Sequence, residues 1–421
     1  MGFMYKVSGE KGRNKLHYCW AICAVSLLMA FAAALLSTGM SVNLAALRSN
    51  VGLSATETSM VYTIRSSSAF AATFFVDRYF RRLGLRYGMV AAMLLGALAF
   101  GIYSIAGPSV AVYYAGSVLA GTAYAFGLMV PISIIVRRWF NKSRAFALSL
   151  ASSGTGLANV VGAPVLQALI DWKNVNLAFG LEAAFLCAVA VLVLLVIRND
   201  PSEKGLEPYG GQDRGGDRAD MRRGTTAGRP AGKGVIAFLA VMTAMTSFGL
   251  GPAATHLTLR DTTIGISPAI VAAWLSVFGL TMIVGKLLCG RVTDGLGGCA
   301  ASCIFGLASV LGLLGCVLGE WRPTVILMAF SMILFGFGNS IATLGYPVWA
   351  ANFAGADGYI KTLEKLQLGY QLGMLLGSPL PGIIFDLTGS YTPAYLVYMS
   401  TCLLAVIGVA FVYALRKRRK I

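Results

Sequence analysis

The sequence predicts an all-α membrane protein of twelve transmembrane helices in two six-helix bundles, and three observations carry that expectation. Of 421 residues, 57% are hydrophobic and 12% charged, against about 25% charged in soluble domains, and the mean hydropathy is +0.73. Apolar stretches of about 20 residues, the length that crosses a hydrocarbon core, recur along the chain. A polar break divides them six and six, and landmarks on its two sides repeat.

In chain order the spans fall near 16–40, 57–76, 87–107, 109–136, 145–170 and 175–197, then 234–256, 268–290, 299–318, 324–346, 364–384 and 393–415. Lys6, Lys11, Arg13 and Lys15 precede the first in the manner of a signal peptide. Its apolar run is too long for one and more spans follow, so it reads as an uncleaved helix. The break, 199–233, is rich in Gly, Arg and Asp and offers little apolar surface with which to order itself. It reads as a cytoplasmic linker between an N-terminal bundle, 1–198, and a C-terminal bundle with a basic tail, 234–421.

The repeat is explicit. Gly162-Ala163-Pro164, leading to Asp171 at the end of span five, returns 215 residues later as Gly377-Ser378-Pro379, leading to Asp386 at the end of span eleven. Gly121 and Gly336 share that offset, and Asp77 and Asp294 stand 217 apart. Parallel duplications of this kind build two-bundle secondary transporters, with the substrate site near the midplane between the halves.

The net charge of +17 does not point to nucleic acid. Of the 34 Lys and Arg, 29 sit on alternate loops or the span ends beside them. This positive-inside asymmetry places both termini in the cytoplasm, in a multi-pass protein of the plasma or inner membrane, with the tail 416–420 against anionic headgroups. All eight Cys lie in or beside spans, without metal-type spacing, and read as helix-packing thiols. No metal or cofactor is expected. No spacing suggests a hydrolase triad, a phosphate loop or a nucleotide site, so the chain reads as no enzyme, driven by an ion or solute gradient.

Candidate site residues are the polar groups inside spans. Lys286 lies eight residues, roughly 12 Å, before Asp294. A cation at that depth costs about 2.5–3.5 kcal/mol, which marks it as functional by default. Arg65, beside Ser66, Ser67 and Ser68, lies roughly 18 Å from Asp77. At an offset of 217 its counterpart is Met282, one turn from Lys286, so each half is expected to place one cation at comparable depth facing a central cavity. The alternatives are snorkelling and, for Arg65, an ion pair with Glu182. Glu182 is the carboxylate clearly inside a span and the candidate for proton coupling. Tyr370, Gln371, Asn159, Asn339 and Tyr124 either line the cavity or bond between helices. His17 and His256 sit at span ends.

The loop after span two reads Asp77-Arg78-Tyr79-Phe80-Arg81-Arg82-Leu83-Gly84, and its repeat partner reads Gly290-Arg291-Val292-Thr293-Asp294-Gly295-Leu296-Gly297. Together they resemble the cytoplasmic signature of the major facilitator superfamily. That resemblance implies a gate built from Asp77, Arg78, Arg81, Arg82, Gly84, Gly290, Asp294 and Gly297. Between spans four and five, Arg138-Trp139-Phe140-Asn141-Lys142-Ser143-Arg144-Ala145, continuing to Gly154 and Gly156, resembles the monocarboxylate transporters and oxalate/formate antiporters. Phe385-Asp386-Leu387-Thr388-Gly389 is similar to that group as well. The resemblance implies a substrate-binding cation four residues before Gly290, the place of Lys286, where that group has Arg.

The expected function is secondary active transport of a small organic anion, a monocarboxylate or small dicarboxylate, by alternating access. A proton or a counter-anion is the open choice of coupling partner, the lipid bilayer is the surrounding partner, and the chain is expected to act as a monomer. The alternative is an exporter of hydrophobic or cationic compounds. It needs an acidic cavity, and the intramembrane excess here is basic. A non-transporting sensor would need a signalling domain, which the linker does not provide.

Overall fold

A computed structural model describes residues 17–39, 47, 51–53, 55–107, 109–211, 231–257, 260–261, 266, 268–322, 324–354 and 358–418. Most of these residues are helical, and the one β-bridge among the described residues joins Phe140 to Tyr209.

The first six spans are Tyr18–Ala34 with a π turn at Leu35–Gly39, Ala55–Thr73, Leu85–Ile105, Val110–Gly127 with Met129–Trp139, the segmented run from Arg144–Ser152 to Ala163–Trp172, and Val175–Val196. The second six are Lys233–Thr255, Pro268–Leu296, Gly298–Trp321, Val325–Gly338 with Ser340–Phe353, Tyr359–Gly377 with Leu380–Thr388, and Thr392–Arg418. Breaks follow local chemistry. Pro131 lacks an N–H and its ring crowds the carbonyl of Gly127, so span four parts at Leu128. Span eleven parts at Ser378-Pro379 for the same reason. Span six starts on Asn174, whose side chain accepts from the Leu177 N–H at 2.9 Å, a standard N-cap.

Eleven of these helices are long and apolar enough to cross a membrane. Span two, expected at 57–76, is the exception. Ala55–Thr73 carries Glu57, Arg65 and a run of Ser and Thr, so composition alone does not make it a lipid-facing span. It packs against spans four and eleven instead.

The duplication reappears in the packing. A Cβ on Gly154 would overlap Leu27 O, and one on Gly369 would overlap Ala240 O. Spans one and five therefore meet as spans seven and eleven do. A Cβ on Gly121 would overlap Arg65 O, and one on Gly336 would overlap Phe278 O. In both comparisons the packed-against residues stand 213 apart. Gly84 and Gly297, which follow the two signature loops with φ of 72° and 91°, share that spacing. The packing counterpart of Arg65 is thus Phe278 rather than Met282. Lys286 lies two turns further along its helix, roughly 12 Å at 1.5 Å per residue. The two cations are not at comparable depth.

The linker also differs from expectation where it is described. Residues 212–230 lie outside the described residues. Before them, Pro201–Lys204 forms a 3₁₀ turn. The Tyr209 N–H donates to Trp139 O at 2.9 Å, and its carbonyl accepts from the N–H groups of Asn141 and Lys142 at 2.9 and 3.0 Å. Its ring packs on Trp20 and Phe140, with centroids 5.7 and 5.8 Å away. Residues 199–211 are ordered because Tyr209 supplies the apolar surface that the polar composition of the break conceals.

Candidate functional site

A small cavity lies between span four of the first half and spans ten and eleven of the second. Its walls include Tyr124, Thr343, Tyr346, Gln367, Tyr370 and Gln371, with Leu128 at the break in span four. The backbone breaks place these groups. Pro131 opens span four beside Leu128, and Pro347, inside Ser340–Phe353, cannot donate to the carbonyl of Thr343 four residues earlier. The Tyr346 and Tyr370 rings have centroids 5.5 Å apart at 37°.

Three residues expected from the sequence, Tyr124, Tyr370 and Gln371, meet in this cavity. Arg65 stands directly against it. The residue is 3% exposed, and its guanidinium carbon lies 4.6 Å from the centroid of the Tyr124 ring and 5.4 Å from that of Tyr62. Its Nε has no hydrogen-bond partner among the described residues. A buried donor left unpaired costs about 1–3 kcal/mol, more when charged, so this position is poised to receive an acceptor. Cation–π contacts offset part of the burial cost.

Lys286 is elsewhere. It is 1% exposed, and Nζ donates to Ser152 O at 3.0 Å and to Thr155 Oγ1, both on span five. It does not line the cavity. Asn159 donates to Thr155 O of its own helix at 3.3 Å, and Asn339 Nδ2 approaches Met282 Sδ at 3.6 Å. These three residues accompany the seam between spans five and eight. Glu182 is 3% exposed on span six, which packs on spans one and three, and is not among the cavity-lining side chains.

The seam is continuous. Gly279 faces Val160, Gly156 faces Ile283, Lys286 reaches Ser152 and Thr155, and Gly290 lies against Ser149 and Ala145. It ends where both carboxylate oxygens of Asp294 accept from the N–H groups of Ala145 and Phe146, at 3.0 and 2.9 Å. Those donors belong to the first turn of Arg144–Ser152, whose own N–H groups have no helical partner and whose dipole favours an anion. The guanidinium of Arg291 over Phe146, 4.9 Å from its centroid, and that of Arg137 over Tyr359, 4.3 Å, add two further contacts across the halves. The end of the bundle that carries the basic loops is closed in this conformation. In the other signature loop Asp77 pairs with Arg81 at 2.8 Å within its own helix. Arg78, Arg81 and Arg82 are exposed, and a surface i,i+4 pair of this kind is worth about 0.3–0.5 kcal/mol.

Sequence reading missed Thr343, Tyr346 and Gln367. The signal for Gln367 was present, because Gln367, Tyr370 and Gln371 stand at i, i+3 and i+4 and share one helix face. Tyr346 is marked only by the adjacent Pro347.

The sequence profile of the Major Facilitator Superfamily matches residues 26–230 and 236–421. Monocarboxylate transporter 12 of Rattus norvegicus is 26% identical over 341 residues, which cover 75% of this chain and 69% of that protein. Monocarboxylate transporter 13 of Bos taurus is 25% identical over 322 residues, covering 75% and 71%. Among solved structures, the proton:xylose symporter XylE bound to 6-bromo-6-deoxy-D-glucose superposes with a TM-score of 0.75 at 13% identity, covering 93% of this chain and 94% of that one. The human organic anion transporter MFSD10 (TETRAN) superposes with a TM-score of 0.67 at 14% identity, covering 94% and 100%. At these identities the solved structures speak to the fold alone. With the profile matching both halves of a twelve-span repeat, the chain belongs to the major facilitator superfamily.

Proposed function

We propose that this chain carries a small organic anion, a monocarboxylate or small dicarboxylate, across the membrane by alternating access. The halves 1–198 and 234–421 rock about the central cavity, with both termini in the cytoplasm of a cell whose plasma or inner membrane holds the protein. One observation carries the reading. Two cations, Arg65 and Lys286, are buried to 3% and 1%, and neither is in an ion pair with a carboxylate among the described residues. A buried charge without a counter-charge is destabilising, and an anionic substrate supplies one. The similarity to monocarboxylate transporters agrees with such a cargo. Among the described residues the cavity walls carry no Asp or Glu, which disfavours a cationic cargo.

Proteoliposomes preloaded with unlabelled acid are expected to exchange labelled lactate, formate or oxalate, and Lys286→Ala is expected to abolish the exchange. Exchange by Lys286→Ala at the wild-type rate would remove Lys286 from the substrate path and leave it as a seam residue. No exchange of any organic acid by the wild type would overturn the assignment.

A further inference from the structure

We propose that the anion carried is an aromatic one: a carboxylate on an aromatic ring, its ring held among Tyr124, Tyr346 and Tyr370. The inference rests on the organic-anion reading and adds the substrate class. Two observations carry it.

The first is the wall chemistry. Three of the side chains lining the cavity are tyrosines drawn from three different spans, and those spans come from both halves. Tyr346 and Tyr370 already pair with each other, their centroids 5.5 Å apart at 37°. Aromatic rings prefer offset-stacked or edge-to-face neighbours at 4.5–7 Å, so a planar ring between span four and spans ten and eleven meets tyrosine from either side. An aliphatic acid gains no such contact. The second is polarity. Arg65, stacked on Tyr124 with Nε unpartnered, biases the span-four wall toward an anion. On the opposite wall Gln367, 4% exposed, has an amide oxygen without a hydrogen-bond partner among the described residues. A ring hydroxyl would donate to it. The cavity thus has an anion-seeking side, aromatic faces and an unused acceptor, which is the complement of a hydroxylated aryl acid.

The test is transport into proteoliposomes of purified full-length protein, using labelled benzoate, 4-hydroxybenzoate, cyclohexanecarboxylate and lactate. Cyclohexanecarboxylate matches benzoate in charge and approximate size but lacks the π face. The expected kcat/KM order is 4-hydroxybenzoate, benzoate, then cyclohexanecarboxylate, with about tenfold between the last two. In Tyr346→Leu and Tyr370→Leu the benzoate-to-cyclohexanecarboxylate ratio falls toward one, whatever the absolute rate. In Gln367→Leu the preference for the hydroxylated ring is lost. Binding of benzoate to wild-type protein, read as quenching of intrinsic fluorescence and compared with cyclohexanecarboxylate, gives the same ranking if the variants fail to fold. If lactate and cyclohexanecarboxylate are carried as well as benzoate, the aromatic assignment is overturned and the organic-anion reading stands. If no carboxylate is carried or bound, both fall.

Discussion

Asp294→Asn isolates the contact that closes the basic end. Both Asp294 oxygens accept backbone N–H groups, from Ala145 at 3.0 Å and Phe146 at 2.9 Å. Asparagine keeps the shape, removes the charge and offers one acceptor oxygen instead of two, so one N–H loses its partner. Hydrogen bonds to a charged group contribute about 1.5–3 kcal/mol, and an anion at a helix N-terminus adds about 0.3–1 kcal/mol. Span five is partly solvated at this point, and we take about 2 kcal/mol as the net loss, roughly a 30-fold shift away from the closed seam at 1.4 kcal/mol per tenfold. Cys289, on the same helix and 1% exposed, is a native reporter. With the other seven cysteines replaced, labelling of Cys289 by a membrane-impermeant maleimide from the basic side is expected to accelerate by up to that factor. Asp200→Asn, which removes an exposed pair with Arg138, serves as the control and is expected to leave the rate unchanged. If Asp294→Asn labels no faster than Asp200→Asn, the capping contact does not hold the seam.

Three further outcomes are expected. Arg65→Gln removes a unit charge beside the cavity; at an effective dielectric near 20 a pair of unit charges roughly 8 Å apart is worth about 2 kcal/mol. KM for the transported acid should rise about 30-fold while Arg65→Lys recovers much of it, and an unchanged KM would place Arg65 outside the substrate field. Glu182→Gln and a protonophore should both collapse concentrative uptake if Glu182 carries the coupling proton, whereas indifference to both means exchange or uniport. His256 Nδ1 donates to Pro252 O at 3.0 Å and lies 3.2 Å from Thr255 Oγ1. Burial lowers its pKa below 6.5, against the opposing effect of the Pro252 hydrogen bond. A lowered histidine pKa means that its stability contribution is present above about pH 6.5 and is lost as pH falls through the folded value. Thermal unfolding of detergent-solubilised protein should therefore show an acid-side decline that His256→Gln flattens.

Much of this architecture follows from the chain read alone, because it rests on properties that act one helix at a time. Hydropathy over about 20 residues marks a span whatever its neighbours. Basic loops mark one face by counting, and a 3.6-residue period puts Tyr370 and Gln371 one turn after Gln367, the stripe that meets the cavity with Tyr124. The tertiary structure decided what depends on how one helix is shifted and rotated against another. Whether Lys286 faces a cavity or Ser152 and Thr155, more than 130 residues away, is set by glycine contacts along spans five and eight. No local pattern encodes that translation. The same contacts fixed the repeat at 213 rather than 217, one helical turn, and so moved Lys286 off the level of Arg65. They also kept the polar span two in the bundle, against spans four and eleven, and Tyr209 anchored a linker that composition alone would leave loose. Apolar length and charge are additive along a sequence. Contact between distant faces is not, because close packing selects one register among several that hydropathy allows equally.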